Sequence, residues 1–366
     1  MNLPFSEELN IETLARIFDN KSECYKLFWF QAIMTKVGQG QDTVSFDELI
    51  NEMIADAWYM VSEYHLNLGP NDTLEKVVNH IHEMTEFGPA EKRSVILEFL
   101  KNSRDPVVKE YKRVLSLNVP YRLQAPFLDF TGADWNTGTS KLAAAINMQR
   151  QRLMYYFIEI NGFHSRIKIS DDWMKYLEKN QEVIRGWIRF HMITYLQRRN
   201  PSVPGISDKL EPPQERKLEK VKKYWKTIID LVPVYDIYGH FDMGENGVSI
   251  DHFVPWSYVA HDELWNLHPT TRSVNSSKSN NLPEWESYFL PLAELEYTAY
   301  RVIWENETAR KTFDACAKEH LNNAEIRYQL YRKGLSEPEF INHLQAVILP
   351  VYHAAENCGF KKWIYQ

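Results

Sequence analysis

At 366 residues, 44% hydrophobic and 13% aromatic, the chain can bury a substantial core and is neither disordered nor low in complexity. Its net charge of −7 would by itself speak against a polyanion partner, and its three cysteines, Cys24, Cys316 and Cys358, are too scattered for a disulfide framework or a zinc knuckle. There is no 18-residue apolar run and no basic-then-apolar leader, so a cytoplasmic protein with no membrane partner is expected.

The charge is unevenly placed. Residues 1–140 hold 13 basic against 21 acidic side chains, residues 141–226 hold 18 against 9, and the remainder carries −8. A basic middle between acidic ends suits a polyanion, yet Lys-rich stretches such as "ERKLEKVKKYWK" equally read as solvated helix faces. Both readings stay open on charge alone. Lys220, Lys222 and Lys223 in that stretch are the candidate nucleic-acid contacts.

In chain order, with only 14 Gly to interrupt it, the sequence predicts mostly helices. "YKLFWFQAIMTKV" is apolar nearly all round, as a buried helix would be. Ser45 and Glu48 form a capping box ahead of "FDELINEMIADAWYMVSEYHLNL", a helix expected to run to Gly69-Pro70. Thr73 is placed to cap the next helix, which should halt at Gly88-Pro89. "YFIEINGFHSRIKIS" alternates around Asn161-Gly162, the signal for a hairpin with a type I′ turn. Ser170 should cap a helical stretch ending at Asn200-Pro201, and the Pro-rich residues 200–213 make the best boundary in the chain. A basic helix over about 214–230 follows. Ser336 and Glu339 form a second capping box near the C-terminal end. These readings divide the chain into a helical region (1–118), a mixed helix and hairpin region with the basic belt (119–213), a small module (214–290) and a C-terminal helical region (291–366).

The small module holds the polar constellation. "VYDIYGHFDMGENGVSIDHFVPW" reads as two short strands about a Gly-containing turn, the second ending at Asp251-His252. A long polar loop, "SYVAHDELWNLHPTT", leads to a short helix, "VNSSKSNN", with Ser273 as its cap and Pro283 as its stop. Asn275 and Lys278, three apart, share one face of that helix. Phosphodiester hydrolysis needs a base near neutrality, which a His supplies. It also needs a hard cation on the phosphate, for which Asp and Asn oxygens are suitable donors, and a Lys can hold a flanking phosphate.

The ordered string "DHFVPWSYVAHDELWNLHPTTRSVNSSKSNNLP" resembles the HNH (His-Me finger, ββα-metal) endonuclease motif, in the form found in stand-alone bacterial proteins and in the HNH domain of RNA-guided CRISPR nucleases. The resemblance spans roughly residues 235–285. It implies metal binding by Asp251 and Asn275, a general base at His252, a loop-pinning Asn266 and a phosphate-supporting Lys278. The standard third residue, a His, is replaced here by Asn275, and the zinc-binding Cys pairs of many members are absent, so flanking helices must support the small fold. His240, His261 and His268 lie nearby and are not assigned as ligands, and His252 is expected at an exposed strand end.

The expectation is a mainly α protein carrying a small ββα-metal module, α+β overall. Its function would be Mg²⁺-dependent cleavage of DNA, with Mn²⁺ able to substitute. Residues 150–230 also resemble bacterial HNH proteins associated with restriction or phage defence. Two alternatives are kept: a nucleic-acid- or partner-binding protein with a degenerate HNH fold, and an effector nuclease held latent by its N-terminal helical region, which would then meet a regulatory protein partner.

Overall fold

The computed structural model describes residues 3–19, 23–212, 218–244 and 247–366. The chain forms two compact units, Met1–Pro201 with Lys209–Pro212, and Ser202–Asp208 with Pro213–Gln366. It is mainly helical with small sheets, α+β overall.

In the first unit, helix α1 (Tyr25–Gly38) is buried on nearly every side, with Phe28, Trp29, Phe30 and Ile33 inside. The Ser45–Glu48 capping box is present: the Glu48 amide donates to Ser45 Oγ at 3.2 Å and the Ser45 amide to Glu48 Oε2 at 2.8 Å. The helix it opens, α2 (Phe46–Ser62), ends seven residues before Gly69 rather than reaching it. His65 takes a left-handed φ of 50°, and the Leu66 amide returns to Met60 O at 3.1 Å, so the turn closes without glycine. Helix α3 (Thr73–Met84) is capped by Asp72, not Thr73; its carboxylate accepts from Leu74 N at 2.8 Å and Glu75 N at 3.0 Å, and an anion there also suits the helix dipole.

A three-stranded antiparallel sheet, β1 (Thr43–Ser45), β2 (Tyr155–Glu159) and β3 (Arg166–Ile169), runs in the order β1-β3-β2. The predicted hairpin exists, but its turn is not type I′. Only Gly162 of the pair has positive φ (54°). Six residues connect the strands, and Ser165 closes them, accepting from Asn161 N at 2.8 Å and donating to Gly162 O at 2.6 Å. Ser170 precedes the next helix, but its hydroxyl donates to Leu153 O at 2.9 Å instead of capping. The long helix α4 (Gln181–Arg199) then ends at Asn200.

The second unit opens with α5 (Glu219–Ile229); the expected start near 214 falls outside the described residues. Its stripe of Val221, Tyr224, Trp225 and Ile228 is buried, while Lys220, Lys222 and Lys223 are exposed. After the site elements, α8 (Trp285–Glu305), α9 (Glu307–His320) and α10 (Glu337–Asn357) complete one apolar core with α5. The Ser336–Glu339 box opens α10 as expected. A short parallel pair, β6 (Leu282–Pro283) with β7 (Lys362–Trp363), brings the last residues of the chain back to the end of the site segment.

Candidate active site

The strand pair differs from the expected one. Of the two strands read before His252, only β4 (Ser249–His252) forms; the earlier segment contributes a single bridge, Tyr235 to Asp242, and part of the Gly-containing turn falls outside the described residues. The partner of β4 is β5 (Leu267–Thr270), antiparallel, with Asp251 opposite His268 and His252 opposite Leu267. All four β5 residues are buried, so the strand lacks the polar and apolar alternation that marks one from sequence, and "LHPTT" reads as loop. Between the strands lie a single helical turn, α6 (Trp256–Val259), and a reversal at Ala260, whose φ is +53°.

Asn266 bridges the two ends of this connection. Its side chain accepts from Val254 N and donates to Val254 O, both at 2.8 Å, and its carbonyl accepts from Phe253 N at 3.0 Å. The amide is wholly buried, so both bonds are needed to offset its desolvation. Asp236, which the sequence reading did not single out, does similar work in the preceding loop. Its buried carboxylate accepts from Phe241 N at 2.8 Å and from Thr270 Oγ1 at 3.0 Å, tying that loop to β5.

Helix α7 (Arg272–Lys278) lies against β4. Thr271, not Ser273, is its cap, accepting from Val274 N at 3.3 Å, and the helix stops at Lys278 because Ser279 turns to φ 48°. Asn275 and Lys278 do share a face, and it is turned to β4. The Asn275 amide nitrogen donates to Ser249 Oγ at 2.9 Å and Ile250 O at 3.0 Å. Lys278, fully buried, reaches Asp251 Oδ2 at 3.1 Å and donates to His252 O at 2.7 Å.

Asp251 is therefore a buried carboxylate in a dense set of donors. Tyr238 Oη donates to its Oδ2 at 2.7 Å, and His268 Nε2 stands 3.7 Å from the same oxygen. Burial pushes the Asp251 carboxyl up, but the Lys278 ammonium and the neighbouring donors outweigh it and hold the group below its ordinary range. Burial pulls Lys278 down, and the Asp251 carboxylate partly restores it; the two form a buried ion pair. Burial also pushes His268 down to about 4, so its ring is neutral near pH 7, and neither ring nitrogen has a hydrogen-bond partner among the described residues.

His252 does not sit at an exposed strand end. It is 5% exposed, and its Nε2 lies 2.8 Å from Asp262 Oδ1. Asp262 was also missed in the sequence; it stands ten residues away in a stretch that reads as polar loop, and only the reversal at Ala260 returns it to the strand end.

Residues 239–284 match the family model described as HNH endonuclease. The chain carries an HNH module. Searches of curated proteins and of solved structures gave no match. The matched segment contains Asp251, His252, Asn266, Asn275 and Lys278, and it assigns nuclease chemistry on nucleic acid at the level of the family, whose members generally depend on a divalent metal. The HNH module lacks zinc-binding Cys pairs, and its neighbours support it. Trp225 of α5 donates to Leu267 O at 3.0 Å, and Tyr352 of α10 donates to Pro283 O at 2.8 Å.

Proposed function

We propose that the protein is a metal-dependent endonuclease that hydrolyses DNA phosphodiester bonds. The observation that carries this reading is the convergence of Asp251, His252, Asn275 and Lys278 on one strand end, inside the segment that matches the HNH family. His252 is the general base, taking the proton of the attacking water as the P–O bond forms. Asn266 keeps the base in place by fixing the start of the connection two residues beyond it.

The donor set fits a hard cation. Among the described residues no three His, Cys, Asp or Glu side chains are grouped to hold a metal ion, so the proposed site draws on one or two protein oxygens. Mg²⁺ keeps most of its waters and takes one or two protein oxygens, which the Asp251 carboxylate and the Asn275 amide oxygen can supply. When bound, the ion would neutralise charge developing on the phosphate and the leaving 3′ oxygen. Lys278, already on Asp251, balances that carboxylate from the protein side. Lys220, Lys222 and Lys223, exposed on α5, are the proposed contacts to flanking phosphates. A role in restriction or phage defence extends the same reading through the resemblance of residues 150–230.

A second reading has its own observation. Both oxygens of Asp251 and the amide nitrogen of Asn275 are engaged within the protein, as they would be in a degenerate HNH fold that only binds nucleic acid. One experiment separates the two: cleavage of supercoiled plasmid with Mg²⁺, with Mn²⁺ and after exhaustive chelation, by wild type and by His252→Ala. The nuclease reading expects activity with either metal, none after chelation, and a fall of roughly 10²–10⁴ in the variant, the usual worth of a positioned base. Because His252 is buried, a thermal melt of the variant must accompany the assay. Equal cleavage by wild type and a folded variant would remove His252 from the chemistry, and an inert wild type would favour the binding protein.

A further inference from the structure

The His252 imidazole has two nitrogens, and the chemistry needs one of them to hold a lone pair towards water. A neutral histidine in solution exchanges between tautomers, and an enzyme that uses one must fix it. We propose that Asp262 is the positioning residue for His252, setting its tautomer and its ring orientation; this deepens the nuclease reading and rests on His252 being the base.

Three observations carry it. The first is the contact itself, 2.8 Å between His252 Nε2 and Asp262 Oδ1. An ionised carboxylate only accepts, so Nε2 must donate, and the neutral ring then keeps its lone pair at Nδ1. The second is burial. The His252 side chain is 6% exposed and that of Asp262 20%, so the bond is largely shielded from competing water. The third is that Asp262 is itself held. The left-handed Ala260 turns the chain, and the buried His320 at the end of α9 bonds Asp262 O through Nδ1 at 2.7 Å. Beside it, Asn322 donates to Glu263 Oε1 from its side chain at 2.7 Å and from its backbone at 3.2 Å.

These last two residues, His320 and Asn322, lie outside the segment that matches the HNH family, which ends at 284. The backbone that carries the Asp262 carboxylate is thus held by His320, on a helix outside the matched segment. Among the described residues, the charged or titratable groups near the ring include Asp251 beside it on β4, His268 on β5 and Lys278 from α7, whose ammonium bonds the His252 carbonyl. None of them takes the place of Asp262 at Nε2.

The test uses the full chain and four variants: His252→Ala, Asp262→Asn, Asp262→Glu and the double variant His252→Ala/Asp262→Asn. An Asn amide can donate as well as accept, so it no longer enforces Nε2–H; kcat for plasmid cleavage should fall about 10²-fold with KM little changed, since removing the orienting carboxylate of a base can cost that much or more. Asp262→Glu should recover part of the loss. The double variant should be no slower than His252→Ala alone, because the acid acts only through the ring. In metal-free protein with ¹⁵N-labelled histidine, NMR should show His252 as the Nε2–H tautomer in wild type and a changed tautomer in Asp262→Asn. Wild-type kcat in folded Asp262→Asn, with His252→Ala dead, would overturn the positioning role and leave the base standing. Full activity in His252→Ala would instead bring down the base reading itself. A loss in Asp262→Asn that keeps the wild-type tautomer would also overturn the proposal, whatever its cause.

Discussion

Lys278 shows how one residue's surroundings decide what it can do. Its position in the motif implies a phosphate contact, but in the structure its ammonium is buried on Asp251 and the His252 carbonyl. Breaking a buried pair by removing one partner leaves a charge without compensation and typically costs about 3–5 kcal/mol. Lys278→Met should therefore destabilise the second unit by about that amount in a urea titration, before any effect on cleavage is considered. Adding Asp251→Asn should recover part of it, because the orphaned carboxylate is then gone. A Lys278→Met protein as stable as wild type, yet defective on DNA, would return this side chain to phosphate binding.

On helix α5 charge and packing occupy different faces. Its buried stripe of Val221, Tyr224, Trp225 and Ile228 packs against α9, with Tyr224 and Phe313 rings 6.0 Å apart. The lysines occupy the other face, so they can be changed without touching the core. Lys220 already pairs with Glu319 at 2.5 Å and Lys222 with Glu219 at 3.2 Å, exposed pairs of little energetic worth. Reversing Lys220, Lys222 and Lys223 to Glu should weaken DNA binding and lower the slope of log K against log salt by about one for each phosphate that a lysine no longer neutralises. Binding isotherms at several salt concentrations measure it. An unchanged slope would mean that this face is only solvated.

For the whole molecule, the sequence holds one DH–N–NxxK set, so the proposed nuclease reading gives one base and one cation site per chain. The strands of a duplex run antiparallel, so a coordinated double-strand break needs a second site related by a two-fold axis. A single chain should nick: supercoiled plasmid should pass to open circles first, and light scattering should give one chain mass. Linear product without a nicked precursor, from a species of twice that mass, would show a dimer.

The sequence by itself determined what rests on local chemistry. Capping boxes at Ser45 and Ser336, the all-round apolar α1, the amphipathic α5 and the ordered motif from Asp251 to Lys278 were legible because each is set by residues a few positions apart. Tertiary structure alone decided what depends on distant neighbours. Strand β5 is buried on both faces and so has no alternation to read, and Asp72 took a cap from Thr73 because its carboxylate reached two amides. His252 was expected in solvent and is enclosed, because burial depends on the helices packed over a strand end, not on its own neighbours in sequence. The same holds for Asp262. Nothing in "HDE" says that a left-handed Ala260 will return it to His252, or that a histidine 58 residues further on will hold it there.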